Sequence, residues 1–535
     1  MMPVAVELVR TVQALMAYFC VLCYADAGAN MELVKFGGDA RRALDRLISA
    51  CTDPHQRDRT MLAVLGAYLL VWTLYGVIAK GNQDLHPDMT ELIAWSRNLA
   101  LGYPKHPPFA AIIVRGWFAL FPIADWTFYL LAMATATLAL WIAWKQFADY
   151  LDPTKCLVGV VLLTFIPFFN FHALKFNVNT VLMPLWAITT YWFLRSYRTH
   201  SSTYGALAGV GGALCMTTKY WSIFLLVGLG VAALSDSRRA AYFRSAAPWI
   251  TILTAVAVFS PHVGWLEKHD FSPVKYAMLL HGGHSAGDAV WADLRYIVDS
   301  TAYVLAPIAI ALLLAQANLK TVADMAWPAD DDRRLVAVAF WTTLLLPTLP
   351  ALLWGVEIHG IWSMSSWTLL PVLLLSSPAV QIPRPYLRWL VGCAVAFPLV
   401  MLTAAPGIAL YFHEQGIPAE QTQSRMLGRQ VEMAWHKATP KPLRYVGGDL
   451  AYGVMTYVRS RPELLPELQQ WQAKRVTEYG VALVCFAEQS ACIAAATDIA
   501  SHNPASQKIE TKLVRSYFGI PGQPQNYVIF IVPPS

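Results

Sequence analysis

Apolar runs recur along this chain, broken by short polar stretches that carry most of its charge. A helix needs roughly 20 apolar residues to cross the hydrocarbon of a bilayer, and about eleven segments approach that length. They are 61–79, 126–144, 157–170, 180–195, 204–217, 220–236, 246–264, 299–316, 335–354, 362–378 and 389–411. Positive charge offers a check, because cytoplasmic loops are enriched in Lys and Arg. With sides alternating from a cytoplasmic start, the inner loops hold Lys145 and Lys155; Arg195 and Arg198; Arg238, Arg239 and Arg244; Lys320, Arg333 and Arg334; Arg384 and Arg388. The odd number of spans then leaves the loop after the first span, and the C-terminal tail, on the outer side. Phe109–Pro122 is apolar but short, with Arg115 near its centre, and predicts an interfacial helix. Treated as a span, it would put every later arginine-bearing loop outside.

The two ends read differently. Residues 1–60 include an apolar stretch, Ala14 to Ala25, too short for a confident span, so a signal-like segment, a mis-assigned start and an extra span all stay open. Lys35, Arg41, Arg42, Arg46, Arg57 and Arg59 place 31–60 in the cytoplasm by the same charge rule. Residues 61–411 form the transmembrane part, with an outer loop over 80–125. Residues 412–535 turn polar and proline-punctuated, and β-branched runs such as VALVCFA and NYVIFIV alternate with helical pattern. That predicts a small α/β domain on the outer side. Cys485 and Cys492 fall there; an oxidising compartment would let them pair, and two free thiols are the alternative.

Composition agrees with the pattern. Of 535 residues, 56% are hydrophobic and only 14% charged, which excludes a soluble globular protein of this size. The net charge of +6 is spread between spans, not clustered among exposed aromatics, so nucleic acid is not a partner. No glycine-rich phosphate loop is present, and no nucleotide site is expected. The fold class is an α-helical polytopic membrane protein with a small C-terminal α/β domain.

The chemistry concentrates in Leu85–Phe109, LHPDMTELIAWSRNLALGYPKHPPF. Ionisable residues beside a bilayer are costly unless they act on something. Pro87 suits the first position of a helix, and Asp88 and Glu91 follow in the turn where the helix dipole favours carboxylates. The spacing puts Asp88, Glu91 and Trp95 near one face; stabilising a helix start would by itself account for both carboxylates. In GYPKHPPF three prolines predict a stiff, extended frame for Lys105 and His106, with Tyr103 beside them. A cation held that way suits a phosphate, although a solvated lysine on a Pro-rich turn has the same sequence. Lys219, in TTKYW between two apolar runs, is expensive to bury unpaired, unless it reaches the interface along its stem.

These residues carry a resemblance. The P-D-x-x-E pattern after the first span, followed by K-x-P-P, resembles the first external loop of the GT-C glycosyltransferases. More narrowly, it is similar to family 39, which holds the protein O-mannosyltransferases and the lipid A aminoarabinose transferase. The resemblance is good over about 60–240 and general beyond. The family's acidic pair reads Asp88-Met89 here, so its second carboxylate is replaced. The stretch Lys175–Trp186 matches a second external loop in which Asn179 stands where an aspartate is common, and Thr217–Trp221 matches a T-K motif between spans five and six.

The resemblance implies an inverting transfer from a polyprenyl-phosphate sugar to an acceptor hydroxyl at the outer face of a bacterial-type inner membrane. Asp88, with Glu91, would take the acceptor's proton. Lys105, Lys219, Lys175 and Arg295 are the candidates to hold the anionic phosphate. His106, Trp95, Tyr103, Asn179, Tyr220 and His359 would line the substrate. The acceptor class stays open among lipid, glycan and protein. No cofactor beyond the lipid-linked donor is required, and one carboxylate pair leaves divalent-ion dependence open. Leu266–Ser300 is expected as a flexible flap whose HGGH could be read as a weak metal pair. A non-catalytic, sugar-lipid-binding relative is the main rival, because Met89 and Asn179 depart from the pattern. A transporter is a weaker one, because the charges sit at span ends and no second half repeats the first.

Overall fold

The computed structural model describes residues 38–418, 421, 423–465 and 473–535. The Ala14–Ala25 stretch and Lys35 lie outside them. The chain is mostly helical, and six described helices are long and apolar enough to cross a membrane: Arg57–Ala79, Asp125–Phe147, Ala247–Lys268, Gly287–Leu314, Asp331–Trp354 and Arg384–Gln415. Shorter apolar helices fill several other expected span positions, among them Pro153–Thr164, Tyr220–Ser235 and Gly360–Leu375. Of two local expectations, the short helix after the loop is present and the flap changes. Phe109–Leu120 is a helix of 12 residues, about 18 Å long and too short to cross. The expected flap is mostly ordered helix, Ser272–His281 and then Ala286–Leu314. Hydropathy missed that start because it is set by a cap: the Ser285 hydroxyl accepts the Asp288 N–H.

Contacts divide the chain into two units that do not follow chain order. The first comprises residues to Trp72, Leu101–Phe109 and Leu130–Val400. Its helices approach through small residues, as membrane helices do. Ser202–Met216 meets Ala247–Lys268 at a GALAG stretch, where a Cβ on Gly205 would lie 2.6 Å from the Ala247 carbonyl. On Gly209 it would lie 2.0 Å from Thr254 Oγ1 and 2.2 Å from the Thr251 carbonyl oxygen.

Charges of this unit gather where loops meet. Arg195 holds Asp149 through two bonds of 2.9 and 2.7 Å. Arg198 reaches Asp332 at 3.4 Å, and Arg238 donates to the same carboxylate at 2.6 Å. Arg388 donates to Asp45 at 2.7 Å, and Lys145 to Asp58 at 2.7 Å. The basic loops assigned to one side by charge are thus tied to one another or to neighbouring helix starts by carboxylates.

The second unit comprises Thr73–Ala100, Ala110–Tyr129 and Met401–Ser535. Its five-stranded sheet runs β2-β1-β3-β7-β4, with β1 Tyr445–Gly447, β2 Glu463–Leu464, β3 Val481–Phe486, β4 Gln507–Leu513 and β7 Gln525–Val532. Strands β2, β1 and β3 are parallel; β7 runs antiparallel to β3 and β4, pairing Val484 with Ile529. Helices cover both faces, with Leu427, Val431, Trp435 and Val454 against Val484 and Ile529 on one, and Val476, Ala496 and Ile499 against Leu483 and Phe530 on the other. That double coverage is why β3 and β7 read as unbroken apolar runs. Cys485 at the end of β3 is disulfide-bonded to Cys492, with Cα atoms 5.8 Å apart.

A buried ion network fixes the stretch leading into the helix Pro87–Arg97 within this unit. The Asp84 carboxylate, fully buried, accepts from Arg515 Nη1 at 2.8 Å and from the Arg425 backbone N–H at 3.1 Å. Arg425 opens the helix Ser424–Ala438, so Asp84 acts as an anion at a helix N-terminus. The Arg425 guanidinium also pairs with Asp125. Tyr457 Oη donates to Asp125 at 3.1 Å and accepts the Leu85 N–H at 3.0 Å. Further along, Arg97 donates to the Pro462 and Met455 carbonyls at 2.6 and 2.9 Å. The helix Pro87–Arg97 is therefore held at both ends.

Two stability outcomes follow. Gly209→Ala should overpack its helix contact and cost roughly 1–3 kcal/mol, read as a lower melting temperature in detergent. Gly230→Ala, with nothing within 4 Å of its Cβ, should not. Asp84→Ala removes the carboxylate partner of the largely buried Arg515 and the anion at the start of the Ser424–Ala438 helix, and should cost about 3–5 kcal/mol, measured by chemical denaturation with the C-terminal domain as the reporter.

Candidate functional site

In the second unit the site residues sit on Pro87–Arg97. The helix begins at Pro87, and the His86 Nδ1 accepts the Asp88 N–H at 3.1 Å, an imidazole acting as N-cap. Accepting there requires Nδ1 to carry no proton. The Asp88 side chain is 28% exposed and its Oδ1 lies 3.9 Å from the same nitrogen. It stands in the first turn, where the backbone N–H groups favour a carboxylate. Glu91 is half-buried one turn on, and Trp95 is buried. Met89, which replaces the family's second acid, is 1% exposed. A carboxylate at that position would be buried at high cost, so methionine is what this packing asks for.

In the first unit, Lys105, His106 and Tyr103 fold back in place of the extended path expected from the prolines. The Tyr103 N–H donates to the His106 carbonyl at 3.0 Å across Pro104 and Lys105. Prolines forbid a helix here but not a closed bend. Tertiary contacts hold the bend. Phe109 N–H donates to the Thr217 carbonyl at 2.9 Å, and the His262 Nδ1 contacts the Leu101 carbonyl at 2.6 Å. Gly102 admits the Trp265 ring, which a Cβ would meet at 2.4 Å. The other His262 nitrogen meets the Tyr220 hydroxyl at 2.9 Å. The K-x-P-P loop and the T-K-Y-W segment, more than 100 residues apart, are thereby stitched together.

Lys219 is half-buried, and its ammonium donates to the Asn179 side-chain carbonyl at 2.9 Å. Asn177 caps the helix Val178–Thr199 by accepting the Asn179 and Thr180 N–H groups, which places Asn179 in the first turn. The ammonium also lies 4.5 Å from the Trp362 ring centroid and 5.7 Å from that of Trp221, within cation–π range. Each of these contacts solvates the charge without neutralising it, unlike an ion pair to the aspartate common at position 179 in the resembling family.

The rim around Trp362 carries further polar groups. His359 and His281 approach its ring at centroid distances of 5.2 and 5.1 Å. Glu357 lies 3.9 Å from His359 Nδ1 and 3.9 Å from His284 Nε2. Burial holds the His281 imidazole below the usual histidine range, and His359 and Lys219 add to this. The HGGH pair thus acquires a carboxylate and a third histidine that spacing could not reveal. Among the described residues, three candidate ligands close enough to share an ion occur at Asp449, Cys485 and Cys492, and those cysteines are already joined.

The two remaining expected cations have other surroundings. Arg295 is exposed on a face with Leu294, Ile297 and Val298. Lys175 is half-buried, with its backbone carbonyl accepting from Thr180 Oγ1 at 3.1 Å. Trp362 and His262 were not anticipated. The only signal for either was an aromatic or imidazole at the end of an apolar run.

Comparison with known proteins agrees with this architecture. Residues 105–265 match the dolichyl-phosphate-mannose-protein mannosyltransferase family. The chain is 22% identical over 389 residues to the lipid A galacturonosyltransferase RgtD of Rhizobium johnstonii, covering 69% of this chain and 75% of that protein. It is 28% identical over 249 residues to the lipopolysaccharide core galacturonosyltransferase RgtB of the same organism, covering 44% and 48%. The fold is similar to that of ArnT from Cupriavidus metallidurans bound to undecaprenyl phosphate, with a TM-score of 0.57 at 12% identity over 88% of this chain and 97% of that one. The apo form of the same enzyme gives 0.55 at 11% identity, over 87% and 97%. Apolar helices, relatives and fold agree: the chain has an ArnT-like membrane fold of GT-C type and is similar in sequence to membrane glycosyltransferases.

Proposed function

We propose that this enzyme moves a sugar of the uronosyl class from a polyprenyl-phosphate donor to a hydroxyl of a lipid acceptor, at the outer face of the inner membrane. The observation that carries the reading is Lys219, a half-buried cation whose ammonium donates to the Asn179 side-chain carbonyl. A cation so solvated, in a chain folded like an enzyme crystallised with undecaprenyl phosphate, suits a lipid phosphate. Two relatives named as galacturonosyltransferases, acting on lipid A and on lipopolysaccharide core, support the sugar and acceptor classes. The Cys485–Cys492 disulfide supports an oxidising, outer location for the C-terminal domain.

In this reading Asp88 accepts the proton of the acceptor hydroxyl as its oxygen attacks the anomeric carbon. The bond to phosphate breaks, the lipid phosphate leaves as an anion stabilised by Lys219 and Lys105, and the anomeric centre inverts. Glu91 helps orient the acceptor. Tyr103, His106, Asn179, Tyr220, Trp95 and His359 line the path, with Lys175 and Arg295 as peripheral cations.

Transfer from radiolabelled polyprenyl-phosphate sugars in membranes tests it. Uronosyl donors should be used over neutral hexosyl donors, and Asp88→Asn should lower turnover about 100-fold or more with donor binding retained. Equal turnover in the variant would remove Asp88 from the chemistry, and donor binding without any transfer would favour a binding-only protein. Asn179→Asp adds a carboxylate 40 residues from its lysine partner in sequence but bonded to it in space. It should weaken donor binding about 10-fold, an electrostatic effect of roughly 1.4 kcal/mol, measured by competition with undecaprenyl phosphate.

A further inference from the structure

The C-terminal domain carries a two-stranded ribbon that neither the transfer chemistry nor the sheet uses. Strands β5 Ser516–Tyr517 and β6 Ile520–Pro521 pair antiparallel, Tyr517 opposite Ile520. Their turn is two residues, Phe518 and Gly519, with φ of 48° and 81°. A turn with positive φ at both centres favours Asn-Gly or Asp-Gly. A bulky aromatic at the first centre is unfavourable in backbone terms, and this one is also 77% exposed. Neither turn geometry nor a water-facing surface explains a phenylalanine at that tip.

The surroundings of the ribbon supply the explanation. Arg515, just before β5, donates to the Gly81 carbonyl at 3.2 Å, and the Tyr517 hydroxyl lies 3.3 Å from where a Gly81 Cβ would stand. Gly81 lies two residues past the end of the membrane-spanning helix Arg57–Ala79. On its other side the ribbon meets His413, whose Nε2 contacts the Ile520 carbonyl at 2.9 Å and whose ring lies 5.8 Å from Tyr517. His413 belongs to the last turn of Arg384–Gln415, a second spanning helix. Near those ends Leu74 is 52% exposed and Tyr411 41%, as lipid-facing side chains are. The ribbon is therefore fastened to the ends of two spans, at the depth where a bilayer's headgroups begin. Its exposed large side chains, Phe518 and Ile520, are apolar, as is Val514 just before it, while Ser516 is the exposed polar residue; aromatic side chains are enriched at that depth.

We propose that this ribbon is a membrane-interface anchor that inserts Phe518 into the headgroup–acyl boundary of the leaflet on the C-terminal domain's side. The occupant of the exposed patch is lipid. The anchor adds a contact of the domain with the bilayer itself to its covalent link through the Arg384–Gln415 helix.

The full-length protein in phospholipid nanodiscs tests this, with a benzophenone amino acid placed at position 518, at Lys508, or at Tyr411. Lys508 is exposed at the far end of β4, about 15 Å along the strand from Leu513. Tyr411, on the spanning helix, confirms that the bilayer covers this end of the protein. Photolysis should attach phospholipid at 518 and 411 and leave 508 at least 10-fold less labelled. Labelling of 411 without 518, equal labelling of 508 and 518, or capture of a second polypeptide at 518 in place of lipid would each overturn the proposal. Because Phe518 is exposed, its replacement should leave the melting temperature unchanged, so loss of lipid labelling would not be a folding defect.

Discussion

A charge cannot rest in hydrocarbon without a partner, and a backbone polar group cannot rest there unbonded. In the first unit this constraint gathers the paired charges where loops meet. Arginines of the basic loops find carboxylates: Arg195 finds Asp149, while Arg198 and Arg238 share Asp332. Such pairs neutralise each other and fasten helices whose apolar faces would otherwise slide. Lys219 is handled differently. An amide oxygen and aromatic faces solvate it, which lowers the cost of partial burial.

The second unit shows the same constraint used for rigidity. Asp84 has no exposure to water, so its charge depends on Arg515 and on the start of the Ser424–Ala438 helix. Removing either partner leaves an uncompensated buried ion, which is why the pair holds the loop ahead of Asp88 firmly. At the other end Arg97 satisfies carbonyls near the close of a C-terminal helix, where a cation also meets the favourable end of the dipole. The carboxylate proposed as the base therefore stands on a helix whose register is set by the C-terminal domain. An acid or base that must meet a proton within hydrogen-bond reach gains from such support.

Much of the fold was legible because membrane helices and buried strands are written locally. Apolar runs marked the spans, and VALVCF and NYVIFIV marked β3 and β7, since strands covered on both faces lose their alternation. The polar edge strand β4, QKIETKL, was not foreseen, because its outer face meets water and little in its pattern separates it from a loop. The site was legible only in part. Lys219 stood out as a charge among apolar residues, and Asp88 by its place after a proline at a helix start. Asp84, four residues earlier, gave no sign of its burial, and the family's missing second acid is explained only by the burial of Met89.

The sequence by itself determined what depends on neighbours along the chain. It set the membrane class, the apolar helices, the α/β character of the tail, and the start of the Asp88 helix. Tertiary structure alone decided which distant groups meet. It set Asn179 on Lys219, brought His262 between Leu101 and Tyr220, turned Cys485 toward Cys492, and folded the K-x-P-P loop back on itself. The physical reason lies in the range of the forces. Hydropathy, helix capping and proline stereochemistry act within a few residues, whereas hydrogen bonds and ion pairs are blind to sequence separation and answer only to distance in the folded chain.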